Sequence, residues 1–598
     1  MSETSANLII ALVLIVIIGA AAAKVIYDFR RKNYCDFCGG NCGGSCEGCN
    51  ACKGVVVPIE DDDGSDKKDQ RSQPIPDRTP SERPDLTVIS IQPIRPCMNT
   101  DHKVLAAIVI ALILASSAVV VLYKPEEGRG GGEEDNMFTF ETYEYTAGGN
   151  VYLKTYYTDD YFSKPATVEN RSLMTFALCL ELSCGYYDGA SGSKRSQSVV
   201  ELLRNIGCDR VSINEYYTKE STPTSTDVAI GAKKVGDSTV LFVAINGVFY
   251  TNEFASNLML GASGDHTGFS KAANDSIAFL KKFIQDNGIT GKAKILTTGY
   301  SRGSAASNLM GAYLSDAIAE GNVKSLVGDI EITQGDVYSF GFEVPYCGYW
   351  TAGSGKPAPT DSRYSNIWYV TNPDDVVTYV PTADWGFCRY GNQVVLRSHD
   401  PTATAAMLNY ARDFYGDATA KAMDMSRFNQ ITGSIPSMKE FNEGFVKKLF
   451  TSIEGGRAYY SASIEEDLSM SVYAFFKYKS VPSNLVAEYS GNVIAMLSDL
   501  IGHYKDTEQD FKAYFGPKVQ SALDKSGCGQ YAANMTGALY QIAKLLNNYC
   551  EGQLTKLITD GYVLTAVSNT DVLLMPHLPP MTLCYLILDD PNYDAYPA

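Results

Sequence analysis

Gly299-Tyr300-Ser301-Arg302-Gly303 has the form G-x-S-x-G. A serine in that frame can act as a nucleophile when a sharp strand-to-helix turn lifts its Oγ clear of a sheet, and the flanking positions must then be small. Both flanks are glycine here, and Ser304, Ala305, Ala306 and Ser307 follow. The serine needs a base and the base an orienting acid, in the chain order Ser, Asp or Glu, His. Asp374 and Asp375 supply carboxylates in the turn Asn372-Pro373-Asp374-Asp375-Val376-Val377. Of five histidines, His102 lies in a polar stretch and His266 precedes the serine; His399, His503 and His577 follow the carboxylates. His399 closely follows the acid turn and fits a cap at the start of the next segment. His503 sits in a helical pattern, LIGHYK. His577 follows an apolar run, VLLMP, and Pro579 and Pro580 stiffen its loop. A base must come within hydrogen-bond reach of Oγ. A rigid loop after the chain returns to its sheet suits that role, so His577 is the expected base, with His399 and His503 as alternatives.

A second constellation is Cys35, Cys38, Cys42, Cys46, Cys49 and Cys52, spaced C-x2-C-x3-C-x3-C-x2-C-x2-C in a Gly-rich stretch. Thiolates so arranged suit a soft metal, but the gaps are too short for a folded zinc ribbon. Acylated cysteines or an idle thiol tail are the alternatives. The other cysteines from Cys179 to Cys584 are scattered, as core residues or occasional disulfides are.

The elements that must position the serine are readable. Apolar or branched runs at 240–245, 294–298, 336–342 and 367–371 read as strands, and 272–285 and 305–318 as helices. Alternation of the two implies an α/β fold with a mostly parallel sheet. The serine then falls between a strand and a helix, and the carboxylates at a strand end, where sites gather in such sheets. Over 400–555 the spacing becomes helical (Phe441, Phe445, Leu449; Leu539, Ile542, Leu546) with no strand pattern. That is a large helical insertion, either a lid over an acyl-binding cleft or an accessory subdomain. Strand character returns near 562–574.

Two uncharged apolar runs, 6–23 and 104–123, are each long enough to cross a bilayer as a helix. Lys24, Arg30, Arg31, Lys32 and Lys103 flank the segment between them, and acidic residues follow the second run. Basic loops stay in the cytoplasm. The expected placement is therefore a two-pass cell-membrane protein, with the Cys-rich loop inside and the large domain outside. The expected organisation is a transmembrane helix with a basic flank (1–32), a Cys-rich segment (33–54), a disordered linker (55–103), a second transmembrane helix (104–124), a flexible linker (125–136) and a globular domain (137–598). With 598 residues and a net charge of −18, the chain has no electrostatic footprint for nucleic acid.

Five segments in order resemble the class 3, fungal-type lipase family, of α/β-hydrolase fold. These are VLFVAINGV, His266-Thr267-Gly268-Phe269, TTGYSRGSAASNLMGAYL, the strand at 338–343, and NPDDVVTYVP with Trp385-Gly386-Phe387 and Tyr390-Gly391. The resemblance implies a carboxylesterase or lipase with a Ser-His-Asp triad, needing no cofactor and acting on lipid or other ester substrates. Its Asp-x-Val-x-x-x-Pro pattern falls on Asp375, Val377 and Pro381, which makes Asp375 the acid and Asp374 the runner-up. It also puts the base near the C-terminus, at His577. The family's Arg-Gly-Thr is here Asn246-Gly247-Val248, so the oxyanion donors it implies are the backbone N–H groups of Val248 and Arg302. The family's Tyr four residues after the base is absent; Tyr585 is the next tyrosine. Residues 6–53 resemble the short Cys-rich membrane proteins associated with bacterial ferrous iron transport, which implies a soft metal on the six cysteines. The alternatives to an active hydrolase are a catalytically inactive binding module on the cell envelope and a metal-handling membrane protein. No protein partner and no nucleic acid is expected, only substrate and membrane.

Overall fold

The computed structural model describes residues 136–598 apart from 145–148, 186–195, 220, 248–251, 431–434, 452–455, 492, 504, 554, 557–558, 570–571 and 593–598. The Cys-rich segment, both linkers and both apolar runs lie outside the described residues. The two-pass membrane placement is corrected: among the described residues no helix is long and apolar enough to cross a membrane. A membrane span needs about 20 consecutive apolar residues, and the helices described here are interrupted by polar residues at shorter intervals.

The chain enters through a separate antiparallel pair, β1 (Met137–Glu144) and β2 (Gly149–Tyr156). Helix α1 (Arg171–Leu182) follows, capped by the Asn170 side chain and buried from Ser172 to Leu182. The main sheet then forms from β3 (Arg210–Ile213), β4 (Val228–Val235), β5 (Ser238–Ile245), β6 (Gly291–Tyr300), β7 (Ile330–Glu331), β8 (Val337–Phe342), β10 (Ile367–Thr371) and β12 (Asn392–Val395). Its order is β12-β10-β8-β6-β5-β4-β3, with β7 paired to the start of β6. The run from β12 to β5 is parallel; β4 and β3 are antiparallel at one edge. A small pair, β9 (Gly348–Tyr349) and β11 (Phe387–Cys388), lies apart from it. This is an α/β fold with a mixed, mostly parallel sheet.

Side-chain alternation along the strands sorts the core into two layers. Val240, Phe242, Ala244 and Leu296 pack on one face with α1, and with α4 (Pro401–Tyr415) and α9 (Pro579–Leu588). Leu241, Val243, Ile245 and Ile295 pack on the other, against α2 (Thr267–Asp286) and α3 (Arg302–Glu320). Burial on both faces explains why β5 reads as an unbroken apolar run. Truncating Phe242, which is fully buried, to Ala would cost about 3–5 kcal/mol.

Among the described residues, the elements between α4 and residue 549 are helical, chiefly α5 (Met438–Thr451), α6 (Ala462–Lys477), α7 (Glu508–Lys525) and α8 (Ala532–Tyr549). They share one apolar core that also takes in Leu258, Leu260 and Phe387 from the sheet domain. Arg457 fastens the two parts. Its Nε donates to Gly261 O at 2.6 Å, its Nη2 donates to Leu260 O at 2.7 Å, and its guanidinium lies 3.9 Å from the Phe387 ring. The strand character expected near 562–574 is not found among the described residues there. Asp560 caps a helix at Gly561–Ser568 by accepting from Tyr562 N and Val563 N. Ala566 and Leu573 there pack with Ile435, Met438 and Phe441 rather than against a strand. The eight described cysteines are free thiols, seven of them buried, so no disulfide forms among the described residues.

Candidate active site

β6, in the middle of the sheet, ends with Gly299 and Tyr300, and α3 begins at Arg302. Between them Ser301 adopts φ 49° and ψ −118°. A left-handed φ in a non-glycine residue costs of order 1–3 kcal/mol and persists only where its surroundings enforce it. They do so through glycine. A Cβ on Gly299 would meet Gly303 O at 2.2 Å, and one on Gly303 would meet Ile245 O at 2.2 Å. One on Gly247 would meet Tyr300 O at 1.7 Å. The three glycines let β5, β6 and the first turn of α3 close on one another. Ser301 N–H donates to Phe342 O at 2.9 Å, which ties the turn to β8.

Beyond β10 the chain turns at Asn372 and Pro373. Asp375 is fully buried and caps a short 3-10 turn, with Oδ1 accepting from Val377 N at 2.8 Å. Its Oδ2 accepts from His577 Nδ1 at 2.7 Å. His577 closes a turn, Met575–His577, that contains Pro576. Its Nε2 lies 2.8 Å from Ser301 Oγ. The three residues therefore form one hydrogen-bonded chain, acid to imidazole to hydroxyl, drawn from three separated segments. Ser301 is 6 % exposed and the His577 side chain 18 %, so the hydroxyl is sheltered yet not sealed.

The other candidates have different partners. Asp374 Oδ1 accepts from His399 Nε2 at 3.0 Å, and the His399 side chain is half exposed. His503 is bonded to Asp499 O at 2.9 Å within the insertion and stacks on Tyr514. His266 caps α2, accepting from Phe269 N through Nδ1, and stacks on the Phe269 ring. Full burial drives its imidazole down to about 3. His102 and the six clustered cysteines lie outside the described residues. Among the described residues no group of three or more His, Cys, Asp or Glu side chains is placed to hold a metal.

Of the two expected oxyanion donors, Val248 lies outside the described residues. Arg302 N–H stands in the first turn of α3, where backbone N–H groups point out of the helix and the dipole favours negative charge. The Arg302 side chain turns away into the core. Nε donates to Ser256 Oγ at 2.7 Å, and Nη2 donates to Ser225 O and Thr226 Oγ1, each at 3.1 Å. Gly247, the last described residue before Val248, donates its N–H to the buried Glu181 carboxylate at 2.8 Å.

Sequence reasoning missed a buried network behind these residues. Tyr300 Oη donates to His577 O at 3.1 Å and contacts Thr582 Oγ1 at 3.0 Å. Thr582 Oγ1 donates to Glu343 Oε1 at 2.6 Å, and Asn372 N–H donates to Glu343 Oε2 at 2.7 Å. The available signal was an acid, Glu343, at the C-terminal end of the apolar run VYSFGF.

No family model matches the chain, and no curated protein matches it. Solved structures similar to part of it include lipases. The Rhizomucor miehei lipase propeptide complex is 16% identical, with a TM-score of 0.24, over 38% of this chain and 69% of that one. The lipase from Rhizopus microsporus var. chinensis is 16% identical, with a TM-score of 0.24, over 38% and 76%. Lip2 lipase from Yarrowia lipolytica is 16% identical, with a TM-score of 0.23, over 37% and 77%. The likeness takes in little more than a third of the chain, and residues 6–53 gain no support from it. The fold assignment rests on the strand order and directions described above.

Proposed function

We propose that the chain is a serine hydrolase that cleaves carboxylic esters, lipid esters among them. Ser301 is the nucleophile, His577 the base and Asp375 the orienting acid. The observation that carries this reading is the pair of short hydrogen bonds that run from Asp375 Oδ2 through both ring nitrogens of His577 to Ser301 Oγ. With Asp375 accepting at Nδ1, the imidazole keeps its proton there and presents a bare Nε2 to the hydroxyl. His577 takes the Oγ proton as the oxygen attacks the ester carbonyl, then returns it to the leaving alcohol. Water repeats the sequence on the acyl-enzyme. The negative oxygen of each tetrahedral intermediate falls to the backbone N–H group of Arg302, at the positive end of α3, and to that of Val248, the second donor that the family resemblance implies. Apolar surroundings support an acyl group as substrate: Val376, Tyr379 and Val380, directly after Asp375, pack against the core of the insertion.

A fluorophosphonate probe tests the proposal, because it phosphonylates only an activated serine. Wild-type protein takes the label and Ser301→Ala does not. Equal labelling of the two, or none of either, removes the hydrolase reading and leaves a binding role for the fold.

A further inference from the structure

Asn442 joins the helical insertion to the acid loop, residues 372–380. It lies on α5 and is fully buried. Its Nδ2 donates to Asp374 O at 2.8 Å. That oxygen belongs to the peptide group that links Asp374 to Asp375. The N–H of the same peptide donates to Asn372 O at 3.0 Å. A peptide group is planar, so one hydrogen bond at its oxygen and one at its nitrogen fix the plane. The plane sets the direction in which the Asp375 side chain leaves the backbone. That side chain has to bring Oδ2 within 2.7 Å of His577 Nδ1.

Three successive carbonyls of the acid loop accept from side chains, and their donors differ in origin. Pro373 O accepts from Tyr379 Oη at 2.9 Å, and Asp375 O accepts from Thr378 Oγ1 at 2.8 Å. Both of those donors lie in the loop itself. The donor to Asp374 O is 68 positions away, and it arrives only when the insertion has folded against the loop. Asp374 is buried, so a lost donor there is not simply replaced by solvent. The inner partner of the peptide is itself fixed. Asn372 N–H donates at 2.7 Å to Glu343, which leaves the end of β8 with a left-handed φ of +48°. The outer partner is fixed too. Val446, Leu449 and Phe450 of α5 are buried in the core of the insertion, and the Phe450 ring stands edge-on to Trp385 at 4.8 Å.

We propose that Asn442 is a positioning residue: by holding Asp374 O it fixes the peptide from which the orienting acid projects, and so makes the helical insertion part of the catalytic frame. The proposal rests on the triad reading, because Asn442 acts through Asp375. It gives α5 a definite place in the mechanism. α5 is a fixed wall of the site and cannot lift from the acid loop without freeing that peptide.

The test uses the full chain as wild type, Asn442→Leu and Asn534→Leu, each also combined with Asp375→Asn. Leu matches the amide in size but cannot donate. Asn534 is the control, because its Nδ2 donates to Asp467 Oδ1 at 3.0 Å, a bond from α8 to α6 within the insertion. Hydrolysis of a p-nitrophenyl ester is measured per serine that takes a fluorophosphonate label to completion, so that misfolded protein is not counted. Asn442→Leu is expected to lower kcat roughly 10–100-fold at unchanged KM, the effect of a group displaced by a fraction of a bond length to a full ångström. Asn534→Leu is expected to leave both constants unchanged. In the Asp375→Asn background Asn442→Leu is expected to cost less than about threefold more, because the acid that it positions no longer orients the base. Asn442→Ala repeats the comparison if the Leu variant does not fold. Unchanged kcat in a folded Asn442 variant overturns the proposal. So does an equal fall in Asn534→Leu, which means a general loosening of the insertion, and so does a full 10–100-fold fall in the Asp375→Asn background. A wild type that neither hydrolyses esters nor takes the label is a failure of the hydrolase reading itself, and the proposal falls with it.

Discussion

Asp375→Asn isolates the orienting acid with almost no change in shape. In the wild-type site Asp375 Oδ1 accepts from Val377 N–H at 2.8 Å and Oδ2 accepts from His577 Nδ1 at 2.7 Å. Asparagine can satisfy the Val377 N–H only with its oxygen. Its amide nitrogen must then face His577 Nδ1, donor toward donor, unless the imidazole moves its proton to Nε2. Nε2 is the nitrogen 2.8 Å from Ser301 Oγ, and once protonated it cannot accept from the hydroxyl. The serine loses its base although every residue stays in place. In Ser-His-Asp enzymes this tautomer error costs about 10⁴-fold in kcat, or about 5.4 kcal/mol of barrier. The assay is hydrolysis of a p-nitrophenyl ester, run beside the rate of fluorophosphonate labelling, with thermal melts to show that the variant is folded. Asp374→Asn is the control. Asp374 bonds His399 rather than His577, so its substitution should leave turnover within about tenfold, the effect of a lost peripheral hydrogen bond. Asp375→Asn protein that is folded and retains more than a tenth of wild-type kcat would refute the reasoning, as would a larger loss in Asp374→Asn.

Three further outcomes are expected. Val248→Pro deletes one oxyanion N–H and should slow ester cleavage by roughly 10²–10³, whereas Val248→Ala should be mild; a Pro variant with full activity would discard the oxyanion assignment. Gly303→Ala puts a Cβ 2.2 Å from Ile245 O and should abolish both soluble yield and Ser301 labelling; a normally labelled Ala variant would contradict the packing described for the turn. His266 is held neutral by burial, at about 3 against an ordinary 6.5. A depressed value of this kind gives stability that is complete above pH 6.5 and is lost as pH falls toward 3, up to about 5 kcal/mol in all. His266→Asn keeps a side-chain cap for α2, so its urea midpoint should fall much less than the wild-type midpoint between pH 7 and pH 4. Parallel falls in the two proteins would remove His266 from the account.

The parts of this molecule that are legible in the sequence have local causes. Ser301 is legible because strand, glycine, serine, glycine and helix are contiguous, and the closures at Gly299 and Gly303 demand small residues there. The strand at 337–342 reads clearly because it is buried at every position, and that at 367–371 because it is a short run of branched and aromatic residues bounded by turns. β4 is harder to read: its first half is buried and its second half, Lys233 to Val235, is more exposed, so neither a run nor an alternation is complete. β12 is only four residues long. The branched run after Asp560 has strand composition, but its cap and its partners in the insertion make it a helix. Glu343 was illegible for a different reason. Its meaning depends on Thr582, 239 positions away, and on the handedness of its own φ, neither of which a linear pattern carries.

The distance along the chain between acid and base has a consequence for the protein as it is made. Asp375 and His577 are 202 residues apart, and the helical insertion is synthesised between them. At about 5–20 residues per second, that interval lasts about 10–40 s. During it, β5, β6, β8 and β10 can already have emerged and paired, bringing Ser301 beside Asp375. The imidazole has not yet been built. A nascent chain on the ribosome thus carries a strained serine with no proton acceptor, and so does any fragment truncated in the insertion. On the proposed triad, latency is written into the order of synthesis, and the serine gains its base only when Tyr300 has received Thr582 of the last helix.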